Sequence, residues 1–492
     1  MRIDPEPRPI GEVTFAPESQ KRFASLSLDR NPIHMDAVAA RRLVAGHRVV
    51  HGIHILIAAI ERWQQEDDGR IESVSCIFSS PVAVGDTVVF MQIQGPADEY
   101  EIEALVGGVP CTRITLATAQ RPAPAAPMTD PVKQGPATTQ IRLPVTMDLP
   151  LDENPEDHVG KQYALEVNDH DLTAEYPNAC RHLGARRVAG ILALSRFVGM
   201  VCPGLHSLFS SLNLDRGTDS ELENDLAFTV NAYDPRSRLF DIRYQGGIRG
   251  SIRAFLRPSP QEQPSLQEVA AHVRADEFSG TRSLVMGGSR GLGEVTAKIL
   301  AAGGGDVVIT YATGREDAER IRDEINANRS SACELRRIDL AHDSVDILAG
   351  DFEVLTAVYF FATPRIYRKK AGTFDPQLFA EFHRMYVEKF YALCAALEDR
   401  TGRPVRVFFP SSVFVSERPK GLVEYAMAKA AAEVLIQEIN RSFRNVRVLS
   451  ARLPRLTTDQ TATVLKIPKE SNVATLLPIV RSMNGTGTEP AA

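Results

Sequence analysis

The chain of 492 residues has few cysteines and no spacing that would organise them. Its six cysteines are scattered and include no Cys-x-x-Cys pair, which argues against a zinc site and a disulfide framework. No apolar run is long enough to cross a bilayer, and the polar, proline-rich residues Met1–Ile10 do not resemble a signal peptide. The net charge of −6 comes without a basic tract. We therefore expect a cytoplasmic protein that binds neither nucleic acid nor membrane.

The length predicts several domains. A chain of 492 residues is too long for one ordinary core, and 43% hydrophobic with 24% charged residues is typical of a globular protein. Two proline-rich runs divide it, since such composition cannot build a core. We expect a first domain over 1–120, a linker over 121–140, a second domain over 141–260, a linker over 261–279 and a third domain over 280–492.

The residues from Ser27 to His34 carry the strongest signal in the first domain. They place a carboxylate (Asp29), a carboxamide (Asn31) and an imidazole (His34) around Asn31-Pro32, which favours a bend. Such a bend can aim Asp29 and His34 into one pocket, where they could hold a water and pass protons. A lone motif of this kind more often only shapes a turn and caps the next helix, so the flanking sequence decides.

The flanks favour chemistry. His51-Gly52 leads into the apolar segment from Ile55 to Trp63, and strand-like alternation follows Gly85-Asp86. This order resembles the MaoC-like (R)-specific enoyl-thioester hydratases, a hotdog-fold family, with Leu28 in the place of the family's glycine. The resemblance implies that Asp29 and His34 are the catalytic pair, that Asn31 orients them, and that the Gly52 N–H polarises the thioester carbonyl.

The second stretch looks like a degenerate copy of the first. Its apolar helix candidate, Val188–Met200, is followed by strand-like runs at Leu226–Tyr233, Leu239–Tyr244 and Ser251–Leu256. It has no Asp-x-Asn-Pro-x-His. His182 and His206 could contact a ligand, although structural histidines are commoner. We expect a second hotdog, and the resemblance to the hotdog family implies that such a unit could complete the pocket of the first.

The third stretch alternates strand and helix, which indicates a doubly wound parallel sheet. Strand candidates are Arg282–Met286, Asp306–Thr310, Leu335–Ile338, Val354–Phe361, Val405–Pro410 and Val446–Ala451. The first leads into a glycine-rich turn and then a helix, a context in which backbone N–H groups can approach a pyrophosphate. The expected fold of the whole chain is an α+β double hotdog followed by an α/β Rossmann-type doubly wound parallel sheet.

A serine, a tyrosine and a lysine follow in the far half of this stretch. Ser412 ends a strand, and Tyr425 and Lys429 lie one helical turn apart on the next helix. The Lys429 ammonium would lower the pKa of Tyr425 and suit it to donate a proton to a carbonyl oxygen that Ser412 also holds. A Tyr–Lys pair at this spacing usually just lies on the solvent-exposed face of a helix. The serine and the glycine turn upstream make a catalytic role more plausible here.

Together these features, from about Arg282 to Met483, resemble the short-chain dehydrogenase/reductase family. The resemblance implies that Ser412, Tyr425 and Lys429 form the catalytic group, with Tyr425 as general acid. It implies NADP(H) or NAD(H) as cofactor, and Arg290 with the lack of an acidic residue at Tyr311-Ala312 favours NADP(H). Tyr386 stands where the family often has an asparagine. The residues implied in cofactor binding are Gly287, Ser289, Arg290, Gly291, Leu292, Gly293 and Asp339.

The two sites together predict a bifunctional acyl-thioester enzyme of fatty acid or polyketide type. It would reduce a 3-oxoacyl thioester with NADPH and dehydrate the 3-hydroxyacyl product to a trans-2-enoyl thioester. The carrier is coenzyme A or an acyl carrier protein, and a homo-oligomer is a further expectation. Two alternatives stay open: a single-activity reductase whose hotdog part only binds the acyl chain or its carrier, and a non-catalytic NADP-binding scaffold. The sequence predicts no metal site.

Overall fold

The computed structural model describes residues 7–42, 46–63, 69–94, 98–118, 140–169, 171–219, 225–368, 370, 372–461 and 471–485. The chain forms two compact units. The first comprises Met1–Arg41, Ala45–Ser259 and Thr463–Lys466, and the second Arg42–Val44, Pro260–Ala462 and Ile467–Ala492. The finer domain boundaries stay predictions, and the linker at 121–140 lies outside the described residues except for residue 140. All six cysteines are free.

The first unit contains strands and helices in two similar runs. Its strands are β1 (Arg8–Thr14), β2 (Ser73–Phe78), β3 (Thr87–Gln94), β4 (Glu99–Val106), β5 (Val109–Ala117), β6 (Ile141–Arg142), β7 (Gln162–Leu165), β8 (Ser207–Arg216), β9 (Leu226–Asp234), β10 (Leu239–Gln245) and β11 (Ile248–Leu256). Its helices are α1 (Pro17–Ser27), α2 (Pro32–Met35), α3 (Ala37–Arg41), α4 (Gly52–Arg62), α5 (Leu172–Glu175), α6 (Pro177–Leu183) and α7 (Ala185–Arg196), with 3₁₀ turns at Pro155–His158 and Gly204–His206. A π-helical turn, Phe197–Val201, continues α7.

These strands form one sheet with internal symmetry. The strand order is β1-β3-β4-β5-β2-β8-β11-β10-β9-β7-β6. Reading outward from the antiparallel β2–β8 pair, each half has the same succession, so β8, β11, β10, β9 and β7 correspond to β2, β5, β4, β3 and β1. Both halves share one hydrophobic core. This topology confirms the predicted double hotdog.

Each half wraps its sheet around one apolar helix. In α4 every residue from Ile53 to Ile60 is buried, as expected for a helix that is apolar on all sides and must be covered by other elements. In β4 the buried Ile102 and Ala104 alternate with Glu101 and Glu103, and both glutamates pair with Arg113 of β5 on the outer face. The sheet therefore has a core face and a solvated face, which is usual for antiparallel sheets.

The second unit is a doubly wound α/β fold. Its strands are β12 (Arg282–Met286), β13 (Asp306–Tyr311), β14 (Cys333–Arg337), β15 (Ala357–Phe360), β16 (Val405–Ser412) and β17 (Val446–Leu453). Its helices are α8 (Leu266–Ala270), α9 (Gly291–Ala302), α10 (Arg315–Asn328), α11 (Ala349–Phe352), α12 (Pro376–His383), α13 (Phe390–Arg400), α14 (Phe414–Glu417), α15 (Val423–Ser442) and α16 (Asn472–Met483), with 3₁₀ turns at Val345–Leu348 and Asp459–Thr461. A π-helical turn, Arg384–Lys389, joins α12 to α13.

The strand order of the second unit fixes where a ligand can bind. The six strands are parallel in the order β14-β13-β12-β15-β16-β17. The order reverses between β12 and β15, and in such sheets ligands bind in the crevice beyond the carboxyl ends of the strands there. This confirms the predicted fold class. Within the described ranges, no helix combines the length and the apolar character that a bilayer crossing requires.

Candidate functional sites

The predicted motif forms the connection between α1 and α2. The helix α1 ends at Ser27, and Leu28 takes a left-handed conformation with φ 59° and ψ 20°. Asn31 then caps α2, because its Oδ1 accepts a hydrogen bond from the Ile33 N–H at 3.1 Å, and Pro32 occupies the first helical position. His34 thus lies on a single helical turn. The local sequence alone explains how Asp29 and His34 come to lie on either side of a cap.

Leu28 occupies a conformation that suits glycine, because a Cβ in the left-handed region costs about 1–2 kcal/mol. We therefore expect Leu28→Gly to be more stable than Leu28→Ala by about 1 kcal/mol, the reverse of the usual order. Both variants lose the same side-chain burial, so their difference isolates the backbone. Chemical denaturation of the two full-length variants measures it, and an equal or higher stability of the alanine variant would refute the strain at this position.

Asp29 is buried at 2% exposure and is held from two sides. Its Oδ2 accepts a hydrogen bond from Ser195 Oγ at 2.7 Å, and its Oδ1 accepts one from the Asn31 N–H at 3.2 Å. Burial raises the pKa of Asp29, whereas the positive form of His34 and the Ser195 hydrogen bond oppose that rise. The carboxylate is therefore a stronger base than an exposed aspartate.

His34 faces the same space as Asp29. Its Nδ1 lies 2.8 Å from the Val49 carbonyl oxygen, which can only accept, so Nδ1 carries the proton and Nε2 keeps its lone pair. Burial lowers the pKa of His34 and outweighs the attraction of Asp29. One oxygen of Asp29 and one ring nitrogen each of His34 and His51 lie within 4.8 Å of one another. The carboxylate and the imidazole are therefore close enough to act on the same bound group.

A cavity of about 190 Å³ opens onto Asp29 and His34. Gly52 lines it at the first residue of α4, where the helix dipole and free N–H groups favour a negative oxygen. A Cβ at Gly52 would come within 3.0 Å of the Phe78 ring, so a larger residue there would require that ring to move. The cavity is lined from the first half of the unit by Ile33, Val50, Ile55, Phe78, Ser79, Ser80, Pro81 and Val82, and from the second by Ser195, Val198, Gly199, Ser207, Leu208, Phe209 and Phe255.

The second half therefore completes the site, as the sequence predicts, but through residues that the sequence argument missed. Asn31 Nδ2 donates to the carbonyl oxygens of Gly199 and Gly204 at 2.7 and 3.0 Å. The π-helical turn brings Gly199 so close that a Cβ there would lie 2.2 Å from Asp29 Oδ1. Ser195 and Gly199 both fall within the predicted apolar helix Val188–Met200, where nothing in the sequence distinguishes them.

His51 is a further residue that the sequence argument did not assign. Its Nδ1 lies 3.0 Å from Gln20 Oε1 and its Nε2 lies 3.1 Å from the backbone oxygen of Asp29. Its ring stacks on His34 with 3.8 Å between centroids. Burial lowers the pKa of His51 well below its ordinary value. His51 therefore supports both Asp29 and His34. Its position directly before Gly52 is the sequence feature that could have identified it.

The corresponding place in the second half holds structural contacts instead. Glu61 accepts hydrogen bonds from the N–H groups of Asn178 and Ala179, at 3.1 and 2.9 Å, and so caps α6. His182 Nδ1 lies 2.9 Å from the Gly69 carbonyl oxygen, with its ring 4.8 Å from that of Trp63. These contacts agree with a structural role for His182. They also agree with a second half that lacks the Asp-x-Asn-Pro-x-His motif.

The Ser195 hydrogen bond predicts a pH effect. Because this bond lowers the pKa of Asp29, Ser195→Ala should raise that pKa further. A carboxylate that must be ionised is then lost at a higher pH, so the acid limb of the hydration rate against pH moves upward. The matched control is Ser79→Ala, which removes another cavity serine whose Oγ bonds the Cys111 carbonyl oxygen. An acid limb that stays in place in Ser195→Ala would contradict the prediction.

In the second unit the glycine turn follows β12 directly. The Gly287 N–H donates to Thr310 Oγ1 at 3.0 Å. A Cβ at Gly287, where φ is 75°, would lie 2.9 Å from the Ala362 nitrogen, and one at Gly293 would lie 2.3 Å from the Gly287 oxygen. A side chain at either glycine would collide with neighbouring backbone, so these two glycines let the turn pack tightly at the N-terminus of α9. Leu292 and Ser289 belong to it, and Ser289 is buried.

Two charged residues were predicted to accompany this turn. Arg290 is the N-cap residue of α9, and its Nη1 lies 3.5 Å from Asp459 Oδ2. Asp339 follows β14, but its carboxylate already accepts from the Ala341 N–H at 3.1 Å and lies 3.0 Å from His342 Nδ1. Arg290 therefore lies at the turn, and Asp339 is engaged in a local turn of its own.

Ser412, Tyr425 and Lys429 lie together at the carboxyl end of β16, whose last residue is Ser412. Burial raises the pKa of Tyr425 to about 12, opposed by its hydrogen bond with Ser412. Lys429 Nζ donates to the Pro410 carbonyl oxygen at 2.7 Å and lies 5.8 Å from the centre of the Tyr425 ring. Burial lowers the pKa of Lys429 to about 7. The expectation that Lys429 lowers the pKa of Tyr425 is therefore wrong for this structure, because burial of the phenol outweighs the distant ammonium.

Comparisons with known proteins agree with this division. A family model described as "MaoC like domain" matches residues 2–101, which include Asp29, Asn31, His34 and Gly52. A versicolorin reductase from Emericella nidulans is 42% identical over 59 residues, 12% of this chain and 22% of that protein. The chain thus spans about a fifth of the curated relative that it matches.

Solved structures add further similarities. A short chain dehydrogenase from Escherichia coli, complexed with NADPH, is 18% identical, with a TM-score of 0.39 over 43% of this chain and 93% of that chain. An angucycline C-6 ketoreductase with bound NADP is 21% identical, with a TM-score of 0.35 over 38% of this chain and 76% of that chain. The N-terminal match to a MaoC-like domain and the short match to a reductase agree with the two kinds of region that the sequence predicts.

Proposed function

We propose that the chain carries out two consecutive steps on an acyl thioester. The second unit reduces a 3-oxoacyl thioester to a 3-hydroxyacyl thioester, and the first unit removes water to give a trans-2-enoyl thioester. The observation that carries the proposal is the buried carboxylate of Asp29 beside the partly buried imidazole of His34, at a cavity that Gly52 lines at a helix N-terminus. Such a pair has little purpose in a binding module, because burying an ionisable carboxylate and imidazole side by side costs free energy.

Dehydration needs proton transfer at two carbons and support for an enolate-like oxygen. Asp29 and His34 can accept the proton from the α carbon and deliver one to the departing hydroxyl. The N–H of Gly52 would donate to the thioester oxygen as negative charge develops on it. Asn31 and Ser195 hold the carboxylate in place. These roles of Asp29, Asn31, His34 and Gly52 are part of the proposal.

Reduction needs a proton donor at the ketone oxygen and a bound nicotinamide. The glycine turn at Gly287, Gly291 and Gly293 stands at the N-terminus of α9, where backbone N–H groups and the helix dipole favour the pyrophosphate of a dinucleotide. When bound, NADPH supplies the hydride. Tyr425, protonated at neutral pH, donates the proton, and Ser412 holds the same oxygen. The partial similarity to a named reductase supports this assignment.

We assign NADP(H) rather than NAD(H) on two residues. Arg290 lies at the turn and offers a guanidinium to a 2′-phosphate. The end of β13, Tyr311-Ala312, has no acidic residue that would repel that phosphate. The six free cysteines fit a reducing, cytoplasmic compartment. Both coenzyme A and an acyl carrier protein remain candidate carriers.

Carrying both sites on one chain has a kinetic advantage. The product of the reduction is the substrate of the dehydration, and tethering raises the local concentration of that intermediate, to roughly millimolar for short flexible linkers. Against the alternative of a mere binding module, Leu28 adopts the left-handed conformation that glycine would take, so the motif keeps its shape.

Product analysis tests the proposal. Purified chain is given a 3-oxoacyl thioester, on coenzyme A in one arm and on an acyl carrier protein in the other, with NADPH, and the products are followed by mass. We expect both the hydroxyacyl and the enoyl thioester. A separate reaction supplies an enoyl thioester without NADPH and should give the hydroxyacyl product. Reduction without any enoyl product or hydration would favour the single-activity reductase, and NADPH binding without turnover on either carrier would favour the scaffold.

A further inference from the structure

Lys429 lacks the partners that normally hold a buried ammonium. Its Nζ donates one hydrogen bond, to the Pro410 carbonyl oxygen at 2.7 Å, and within the described part of the chain no carboxylate lies within ion-pair distance of it. The nearest acidic group, Glu433, is engaged by Arg452 at 2.7 and 2.9 Å and by Ser411 at 2.5 Å. The side chain is 3% exposed. An ammonium in this position needs another source of stabilisation.

Aromatic rings supply it. Lys429 Nζ lies 3.8 Å from the centre of the Tyr386 ring and 4.4 Å from that of Phe409. A ring face carries negative charge density, and a desolvated cation over it gains more than an exposed one. Tyr386 is itself 1% exposed, so water does not screen this contact.

The hydroxyl of Tyr386 is fixed at the other end of the ring. It lies 2.5 Å from Thr363 Oγ1, and Thr363 in turn donates its single hydroxyl proton to the Pro364 oxygen at 2.9 Å. Tyr386 is therefore the donor to Thr363, and its hydroxyl proton is not shared with Lys429. The residue sits in the π-helical turn Arg384–Lys389, a local irregularity common at functional sites. Thr363 follows Ala362, and Gly287 of the glycine turn packs against Ala362. Through Thr363, Tyr386 therefore connects the glycine turn to Lys429.

We propose that Tyr386 is a positioning residue of the reductase centre, whose ring face keeps the Lys429 ammonium charged and whose hydroxyl anchors that ring to Thr363. The inference rests on the proposed reductase function and extends it to a residue that takes no part in the chemistry directly. Around Lys429 the other titratable groups are Tyr425 on the same helix, Glu433 one turn further on, and Arg452 on β17 behind Glu433. The charge of Glu433 raises the pKa of Lys429, whereas burial lowers it. The two ring faces oppose the effect of burial.

The pH dependence of the full chain tests this role. Tyr386→Leu removes the ring, so the pKa of Lys429 should fall and the alkaline limb of the reductase kcat/KM should move down by about one pH unit. Above that limb the loss is about tenfold. Tyr386→Phe keeps the ring face and should retain the wild-type limb. Phe382→Leu is the matched control, because Phe382 stacks on Tyr386 at 5.9 Å and does not lie over the ammonium.

A second readout separates this inference from the function on which it rests. NADPH is an anion, so its affinity, measured by nucleotide fluorescence against pH, should weaken at lower pH in Tyr386→Leu than in the wild type, with no turnover required. Failure of the wild type to reduce any 3-oxoacyl thioester would overturn the proposed function, and the NADPH affinity profile would then decide the role of Tyr386. The inference would be overturned if Tyr386→Leu moved neither the alkaline limb of kcat/KM nor the pH profile of the NADPH affinity. It would also be overturned if the Phe382→Leu control shifted both by the same amount.

Discussion

We expect Asp29→Asn to stop the proposed two-step reaction at the 3-hydroxyacyl thioester. The amide cannot take up a proton as the carboxylate does, whereas its size and its hydrogen bond with Ser195 can be kept. General acid–base groups contribute typically 10²–10⁴-fold, so we expect dehydration to fall about 10³-fold. Reduction should continue at the wild-type rate, and the hydroxyacyl product should accumulate by mass.

The matched control for this variant is Asp36→Asn in the same segment. Asp36 is exposed and accepts a hydrogen bond from the Val38 N–H at 2.7 Å, far from any role in the cavity. It should alter neither product. If Asp29→Asn formed the enoyl thioester at the wild-type rate, the dehydration would not depend on Asp29.

Tyr425→Phe removes the other activity. The phenol is the proton donor proposed for the ketone oxygen, and phenylalanine fills the same buried space beside Phe382 and Phe414. We expect NADPH oxidation with a 3-oxoacyl thioester to fall about 10³-fold, while hydration of an added enoyl thioester is unchanged. The exposed Tyr391 provides the control, since Tyr391→Phe changes the same atom away from the site.

Mixing the two variants, each of which should keep one activity, gives a further check. Asp29→Asn supplies the hydroxyacyl thioester and Tyr425→Phe dehydrates it, so the mixture should regain the enoyl product. The regained rate should be lower than that of the wild type, because the intermediate must diffuse between chains. A mixture that yields no enoyl product, with each single activity intact, would contradict the order of the two steps.

Much of the fold was predictable because its signals are local. The strand Arg282–Met286 matches the prediction residue for residue, and the other five strands of the parallel sheet agree within a few residues, since most of them are short apolar runs between turn signals. The helix α4 was equally clear. The strands β7 and β8 were not predicted, because β7 has only four residues and β8 begins with serines and an exposed leucine, so their apolar pattern is weak.

The candidate sites divide in the same way. Asp29, Asn31 and His34 lie within six residues and Tyr425 and Lys429 within one helical turn, so backbone geometry alone keeps each group together. Ser195 and Gly199 come from more than 160 residues further along the chain than Asp29, and one apolar helix residue looks like another in sequence. The sign of the Tyr425 pKa shift also escaped the sequence argument, because it depends on burial.

By itself the sequence determined which chemical groups are present and which near neighbours they have. It supplied a carboxylate and an imidazole around a proline turn, a glycine cradle before a helix, and a phenol and an ammonium on one helix face. Tertiary packing decided what surrounds them: a serine and a glycine of the second half against Asp29, and the ring of Tyr386 over Lys429. The physical reason is that bond geometry acts over a few residues, whereas desolvation and long-range hydrogen bonds exist only once distant segments have packed together.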